Sequence, residues 1–221
     1  MKYYELHKST NSKEIGVFPQ AGLNINHNRH DAQSPTKLKS MEMPTFEPNF
    51  NDLEIDENAF FTDYVSSGLS LYGMFLSQKM YKIISEFRVQ PHKVYELNIK
   101  NSNKNYLWLH FGKTQILETV DYSNSEFKID EFGFEKERIS LSDFTHYKVK
   151  QKEMNSMSVI KAVKLCLKIE PINDLFIIPF LDGNIYLSQI LVEKLEEMNL
   201  TGLQVNPSQL VINPADNRVD G

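Results

Sequence analysis

The alternation of hydrophobic and polar positions is clearest near the end of the chain, in residues 175–205. The β-forming run FIIPF is followed by the turn residues DGN and by a second extended run, IYL. Ser188 then stands where a helix N-cap belongs, and Leu191 and Leu195 follow at helical spacing. Gly202 comes just past the last periodic residue, where helices commonly stop. The stretch therefore predicts strand, turn, strand, helix, turn and strand.

A second amphipathic helix is predicted for residues 77–87, alongside the one at residues 188–198. Ser77 is its candidate N-cap, and the apolar positions recur at steps of three and four: Met80, Ile83, Ile84 and Phe87. Both helices open with Leu-Ser-Gln, which predicts similar strand-to-helix corners. Three shared residues do not by themselves establish a repeat.

Short extended runs occupy much of the remaining chain. Strands are predicted at residues 3–6, 95–99, 106–111 and 115–122, with a hairpin across Gly112-Lys113. Because strands follow one another without helices between them, antiparallel pairing is expected. The sequence thus predicts an α+β fold with a mainly antiparallel sheet and two amphipathic helices.

Lysines alternate with other residues in two further stretches. Lys148, Lys150 and Lys152 would share one face of a strand, a pattern typical of a protected sheet edge or a solvated face. A row of lysines that binds phosphate is the alternative. Residues 164–170 alternate in the same way, and Cys166 is expected to point with the lysines and to be partly exposed.

The N-terminal region has no lasting period. Residues 8–58 are rich in Asn, His, Ser and Pro, and we expect a long irregular segment partly packed as extended chain, with Phe46 and Phe50 as anchors. The predicted organisation is an irregular region at residues 1–60, one α+β domain at residues 61–206 and a tail at residues 207–221.

Composition narrows the class of protein. The chain has 221 residues, one cysteine, a net charge of −5 and a pI of about 5.7. A net negative charge disfavours nucleic acid as the main partner, because phosphate binding needs a basic face. No apolar run approaches the roughly 20 residues of a membrane helix, and the start lacks a signal-peptide pattern. We therefore expect a soluble, cytoplasmic protein that binds neither nucleic acid nor membrane.

Two acidic runs are the candidate partner-binding residues. The first contains four carboxylates within six residues and continues to Asp63 without a lysine or arginine. The second lies between aromatic residues. Their members are Asp52, Glu54, Asp56 and Glu57 in the first run, and Asp130, Glu131, Glu135 and Glu137 in the second. Such runs are commonly solvated segments; the alternative is a face for a basic partner.

Catalytic signatures are absent from the sequence. It has no G-x-S-x-G, P-loop or dinucleotide motif, and its six histidines lack the spacing of a helical zinc site. Cys166 would need a histidine, such as His110 or His146, to act as a nucleophile. We expect no catalytic residues, no cofactor and no metal.

Three ordered stretches resemble a known bacterial family. The first is the helix and strand of residues 76–99. The second is YLWLHF followed by VDYSNSEF, and the third is DLF, then IYLS, the amphipathic helix and LTGL. Together they resemble the immunity-protein domain numbered eleven among the immunity families, formerly a domain of unknown function. The resemblance covers residues 71–205. It implies a protein encoded beside a polymorphic toxin, which binds that toxin and neutralises it.

The leading hypothesis is therefore an immunity protein that occludes a cognate toxin domain without catalysis. An acidic protein suits toxins that are nucleases with basic surfaces. One alternative is a small hydrolase or transferase with an unrecognised site. The other is a self-associating adaptor that uses the lysine-faced strand as an open edge. The sequence leaves the toxin, the strand order and the oligomeric state undetermined.

Overall fold

The structure is a computed structural model, and it describes residues 2–69, 73–100, 102 and 104–213. Its helices are α1 (Ser12–Ile15), α2 (Gln78–Ile84), α3 (Ile116–Thr119), α4 (Phe144–Glu153) and α5 (Gln189–Glu197), with one 3₁₀ turn at Pro35–Lys37. The first strands are β1 (Tyr3–Lys8), β2 (Ala21–Leu23), β3 (Leu53–Ile55), β4 (Tyr64–Val65), β5 (Gly73–Ser77), β6 (His92–Leu97), β7 (Tyr106–Phe111) and β8 (Glu126–Glu131). The others are β9 (Phe134–Ile139), β10 (Ser158–Lys164), β11 (Cys166–Leu167), β12 (Leu175–Ile177), β13 (Ile185–Ser188), β14 (Leu203–Pro207) and β15 (Val211–Ile212).

Two four-stranded antiparallel sheets organise the fold. Sheet 1 has the order β4-β5-β7-β6, and sheet 2 has the order β12-β13-β1-β14. Smaller antiparallel groups are β10-β8-β9 and β2-β3, while β11 and β15 pair in parallel. The α+β class with mainly antiparallel pairing is thus confirmed, and both predicted helices are present as α2 and α5.

The two sheets are built on one plan. In each, a hairpin leads into a helix and then into an edge strand: β4, β5, α2 and β6 in sheet 1, and β12, β13, α5 and β14 in sheet 2. The same number of residues separates Asp63 from Asp174 and Ser77 from Ser188. The strand registers match, since Tyr64 lies opposite Leu76 in one hairpin as Leu175 lies opposite Leu187 in the other.

The units differ in where their fourth strand comes from. In unit 1 (sheet 1 with α2), β7 follows β6 and inserts between β5 and β6. In unit 2 (sheet 2 with α5), the equivalent position between β13 and β14 is filled by β1, from the other end of the chain. The predicted first strand therefore completes the second unit.

Each unit holds the other through an aspartate at the start of its hairpin. Asp63 accepts hydrogen bonds from the Thr201 amide at 3.0 Å and hydroxyl at 3.1 Å, just after α5. Asp174 accepts from the Arg88 amide and Nε, both at 3.1 Å, just after α2. Burial alone would raise the pKa of Asp63, but bonds from Ser77 and Thr201 outweigh it and lower that pKa. These reciprocal contacts fix the two units against each other.

Three clusters of buried residues fill the space around the sheets. The first lies between the units and contains apolar residues of both sheets and both helices, including Leu76, Leu109, Leu187 and Leu191. The second covers the other face of sheet 2 with residues of β8, β10 and β11. The third covers the other face of sheet 1 with residues of β2, β3 and the segment before β3.

The lysine-rich stretch is a helix, which corrects the predicted strand. Lys148, Lys150 and Lys152 lie on α4, whose N-cap Asp143 accepts a hydrogen bond from the His146 amide at 2.8 Å. The local cap outweighs the alternating pattern, because it satisfies an otherwise unpaired amide of the first turn. Only Tyr147 of this helix is buried.

Two further expectations were wrong. Residues 115–122 were expected to form a strand joined by a hairpin across Gly112-Lys113, but they contain α3, and β7 pairs with β5 and β6. Cys166 was expected to be partly exposed, but it is buried, because β11 lies in the interior beside β15.

The N-terminal region is largely packed against sheet 1. Phe50 is buried and contacts the rings of Tyr95 and Trp108, with centroids 5.8 and 6.0 Å away. Phe46, the other expected anchor, is half-buried. Of the predicted tail, residues 214–221 lie outside the described residues, as does Leu71 at the start of the family resemblance.

Candidate functional site

The first acidic run lies on β3 and in the turn after it. Asp52, Glu54, Asp56 and Glu57 are all exposed. Within the described part of the chain, none of the four makes an ion pair with a lysine or arginine. The closest basic group is His27, whose Nδ1 lies 2.7 Å from Asp52 Oδ2. The structure therefore leaves most of this charge facing solvent.

Two exposed aromatic residues belong to the segments beside this run. Residues 15–20 follow residues 56–60 side by side: the Phe60 amide donates to the Ile15 carbonyl at 2.9 Å, and the Asp56 amide donates to the Gln20 carbonyl at 2.8 Å. Phe18 and Phe60 lie on these two segments and are 56% and 55% exposed. We call Phe18, Glu54, Asp56, Glu57 and Phe60 the acidic–aromatic patch.

The backbone beneath the patch is held tightly. Gly16 has a φ of 77°, and a Cβ at this position would lie 2.0 Å from the Asn58 carbonyl oxygen. Only glycine permits both that conformation and that approach. Gln20 adds side-chain hydrogen bonds to the Phe60 carbonyl and to Thr62, at 2.8 and 3.0 Å. The patch is therefore presented on a fixed scaffold.

The second acidic run is mostly neutralised within the protein. Asp130 is buried, and Lys161 and Lys128 lie 2.7 and 3.2 Å from its oxygens. Glu131 pairs with Lys136 at 2.8 Å, and Glu135 pairs with Arg138 at 2.8 Å. Among the described residues, Glu137 is the member of this run without an ion pair.

The hairpin that carries the second run also exposes aromatic residues. Phe132 and Phe134, at the turn between β8 and β9, are 72% and 77% exposed. Phe132 has a φ of 54°, a left-handed conformation that glycine or asparagine adopts more readily. This hairpin packs with the cluster on sheet 2, whereas β3 packs on sheet 1, so the two acidic runs do not form one surface.

The residues considered for covalent catalysis lie in separate hydrogen-bond networks. The Cys166 thiol donates to the Asn124 carbonyl at 3.0 Å, and its burial raises its pKa, the opposite of what a nucleophile needs. His110 bonds to the Glu42 carbonyl at 2.9 Å, and His146 lies beside Ser142. The structure does not bring the three together as a nucleophile and its base.

The described part of the chain contains neither a candidate metal site nor a candidate membrane-spanning helix. In residues 2–69, 73–100, 102 and 104–213, no three His, Cys, Asp or Glu side chains are grouped in a way that would hold a metal ion. No helix in that part of the chain has the length and apolar character needed to cross a bilayer; α4, the longest described, has ten residues.

Comparison with known proteins adds no assignment. No protein-family model matches this chain, and no curated protein has a matching sequence. The similarity to the immunity-protein family, noted from three short stretches, therefore remains a hypothesis.

Sequence reasoning identified the carboxylates of the patch but missed its aromatic residues. Phe18 and Phe60 stand in stretches without hydrophobic periodicity, so nothing in the pattern distinguishes them from core residues. The signal in the sequence that could have indicated them is position: an isolated aromatic residue close to an acidic run that contains no lysine or arginine.

Proposed function

We propose that this chain is a cytoplasmic immunity protein that binds a cognate bacterial toxin domain and neutralises it by occlusion, without catalysis. The proposal starts from the resemblance of three ordered stretches to that family. In this proposal the chain binds through the acidic–aromatic patch, and the partner is a protein with a basic face. Nucleic acid is not its partner.

The observation that carries the proposal is that exposed carboxylates without lysine or arginine partners lie beside exposed phenylalanines on a rigid scaffold. Interfaces commonly combine a few apolar anchors with a polar rim. Phe18 and Phe60 supply the anchors, and Glu54, Asp56 and Glu57 supply the rim. An acidic rim attracts a basic partner over distances of about a Debye length, which speeds association.

Charge also favours this patch over the hairpin of β8 and β9. Three of the four carboxylates in the second run, Asp130, Glu131 and Glu135, already have lysine or arginine partners, so a basic protein gains less by approaching them. The first run has no such partners to displace. The hairpin nonetheless offers a matched comparison, because it presents exposed phenylalanines in a less negative setting.

The test of the function is co-expression with the toxic domain encoded by the neighbouring gene. Cells that carry the intact chain are expected to survive induction of that domain, and the two proteins are expected to elute together on a sizing column. Death of the cells that carry the intact chain, together with separate elution of the two proteins, would contradict the proposal.

The test of the surface compares two phenylalanines. Phe60→Ala is expected to weaken toxin binding by at least tenfold, because truncation of a hot-spot anchor typically costs about 2 kcal/mol or more. Phe134→Ala, its matched control on the hairpin, is expected to change affinity by less than about twofold. A larger loss of affinity with Phe134→Ala than with Phe60→Ala would show that the toxin binds at the hairpin and not at the patch.

The adaptor alternative loses the feature on which it was based. It required an open strand edge faced by Lys148, Lys150 and Lys152, but these residues belong to α4.

A further inference from the structure

The outer faces of the two sheets differ at equivalent positions. A row across sheet 1 joins residues that are all buried: Val65, Phe75, Trp108 and Tyr95. The equivalent row across sheet 2 is Phe176, Tyr186, Glu5 and Asn206. In sheet 2 the half of the row formed by β1 and β14 is polar. The same plan thus gives a row that is apolar throughout in unit 1 and a row that is half apolar and half polar in unit 2.

The polar half of that row forms one wall of a cleft of about 380 Å³. The opposite wall is the end of β10 and the segment after β14. The polar side chains around it are those of Glu5, Lys164, Asp182, Asn184, Tyr186, Asn206 and Gln209. At the corresponding row of sheet 1, Phe50 packs against the rings of Tyr95 and Trp108. A cleft of about 460 Å³ lies beside Phe50 and Tyr95, but Trp108, the residue equivalent to Glu5, does not line it.

Asp182 is an unbalanced charge within this cleft. Tyr186 donates its hydroxyl proton to the Asp182 carboxylate, and the Asn184 amide donates to the same group at 3.0 Å. Glu5, on the adjacent strand, adds a second negative charge. Among the described residues, no lysine, arginine or histidine makes an ion pair with Asp182. Burial, with a further contribution from Glu5, raises the pKa of Asp182 to about 6.

A carboxylate held in this way weakens the fold at neutral pH, because the hydrogen bonds from Tyr186 and Asn184 offset only part of the effect of its burial. Residues that reduce stability without a structural return are characteristic of functional sites. Lys164 lines the opposite wall, but among the described residues it forms no ion pair with Asp182 or Glu5. A positive charge placed between these two carboxylates would offset the burial of Asp182 and its repulsion by Glu5.

We propose that the cleft between β1, β13 and β10 binds an alkylammonium group, with Glu5 and Asp182 as its charge partners and the side-chain amide oxygens of Asn184 and Asn206 as acceptors at its rim. The cleft volume fits a single aliphatic amine, such as a lysine side chain or a small diamine. The inference stands without the proposed function, because it depends only on the chemistry of the cleft.

The charged groups that face Asp182 set the pH range of binding. They are Glu5 from β1, Tyr186 from β13 and Lys164 from the end of β10; His7, whose Nε2 lies 3.1 Å from a Glu5 oxygen, acts through Glu5. As the pH falls through about 6, Asp182 takes up a proton and the cleft loses a negative charge. Binding of an amine is therefore expected to weaken by roughly tenfold between pH 7.5 and pH 5.

The experiment is an NMR titration of the full chain at pH 7.5, following the Asn184 amide. The probes are Nα-acetyl-lysine methylamide and 1,5-diaminopentane, with Nα-acetyl-norleucine methylamide as the uncharged control. A saturable shift with either amine and none with the norleucine compound is expected. Saturation by the blocked lysine indicates a protein side chain as the source, and saturation by the diamine alone indicates a free small molecule.

Two variants complete the test. Asp182→Asn is expected to fold, since it removes a buried charge, and to bind the amine at least tenfold more weakly. His7→Gln is expected to leave the pH midpoint near 6, which separates Asp182 from the neighbouring imidazole. No saturable shift with either amine, an equal shift with the norleucine compound, or unchanged binding by Asp182→Asn would overturn the proposal.

Discussion

The two units share a plan but use their outer faces differently. At one equivalent pair of positions, unit 1 has Trp108, buried and in contact with Phe50, while unit 2 has the half-buried Glu5 beside a cleft. The backbone registers around these positions are the same. The fold therefore does not dictate what this face does. The covering segments decide it: the N-terminal stretch packs Phe50 against Trp108, whereas the segments over sheet 2 leave a cleft beside Glu5.

The largest expected effect comes from truncating the side chains at these two positions to alanine. Trp108→Ala should lower the free energy of unfolding by about 3–5 kcal/mol, because it opens a cavity in a packed aromatic cluster. Glu5→Ala, at the equivalent position, should change it by no more than about 0.5 kcal/mol. Urea denaturation measures both. Similar losses in the two variants would mean that the faces are equally packed.

A second prediction concerns the contacts that join the units. Asp63→Ala should destabilise the protein by about 3 kcal/mol, because it leaves the buried Ser77 hydroxyl and the partly buried Thr201 amide without their carboxylate partner. Asp174→Ala should cost less, since its partner Arg88 has an exposed side chain that water can solvate. Urea denaturation of both variants checks the order.

The same carboxylate gives a pH dependence of defined sign. The folded-state pKa of Asp63 is lowered, so its contribution is present above the unfolded value near 4 and is lost as the pH falls below it. The stability difference between the intact chain and Asp63→Asn should therefore shrink between pH 5 and pH 3. A difference that grows on acidification would contradict the assignment.

The third prediction has the opposite sign and lies in unit 2. Because the folded-state pKa of Asp182 is about 6 and its unfolded value is near 4, ionisation makes the fold less stable as the pH rises through this window. Asp182→Asn should gain about 2 kcal/mol at pH 7.5, with no gain near pH 4. Thermal unfolding at the two pH values is the measurement. A loss of stability at pH 7.5 would show that the carboxylate is compensated internally.

The sequence predicted well those elements whose signals are local. The Ser77 cap, whose hydroxyl oxygen accepts from the Met80 amide at 3.1 Å, and the apolar face of α5 both follow from the order of neighbouring residues. The strand predicted at Lys148 was wrong because the period of two in the sequence competed with the helix N-cap at Asp143, and the helix formed. The burial of Cys166 depends on the pairing of β11 with β15, which no local pattern in the sequence reveals.

The paired units show what local patterns could not supply. The shared signals are few: an aspartate before each hairpin and Leu-Ser-Gln at each corner. The equivalence becomes visible only through registers, because β1 completes a sheet whose other strands lie at the opposite end of the chain. For the same reason, the candidate site was only partly predicted from the sequence. Acidic residues cluster along the sequence, whereas Phe18 and Glu57 come together only through folding.

One measurement tests the central claim most directly: the rate at which the purified toxin domain associates with the chain at low salt. Glu54→Lys/Glu57→Lys reverses two patch charges, while Glu193→Lys/Glu196→Lys makes the same change in net charge on the exposed face of α5. Electrostatic attraction at the patch predicts at least a tenfold slower association for the first variant and less than a twofold change for the second. Equal rates for the intact chain and the patch variant would contradict the account.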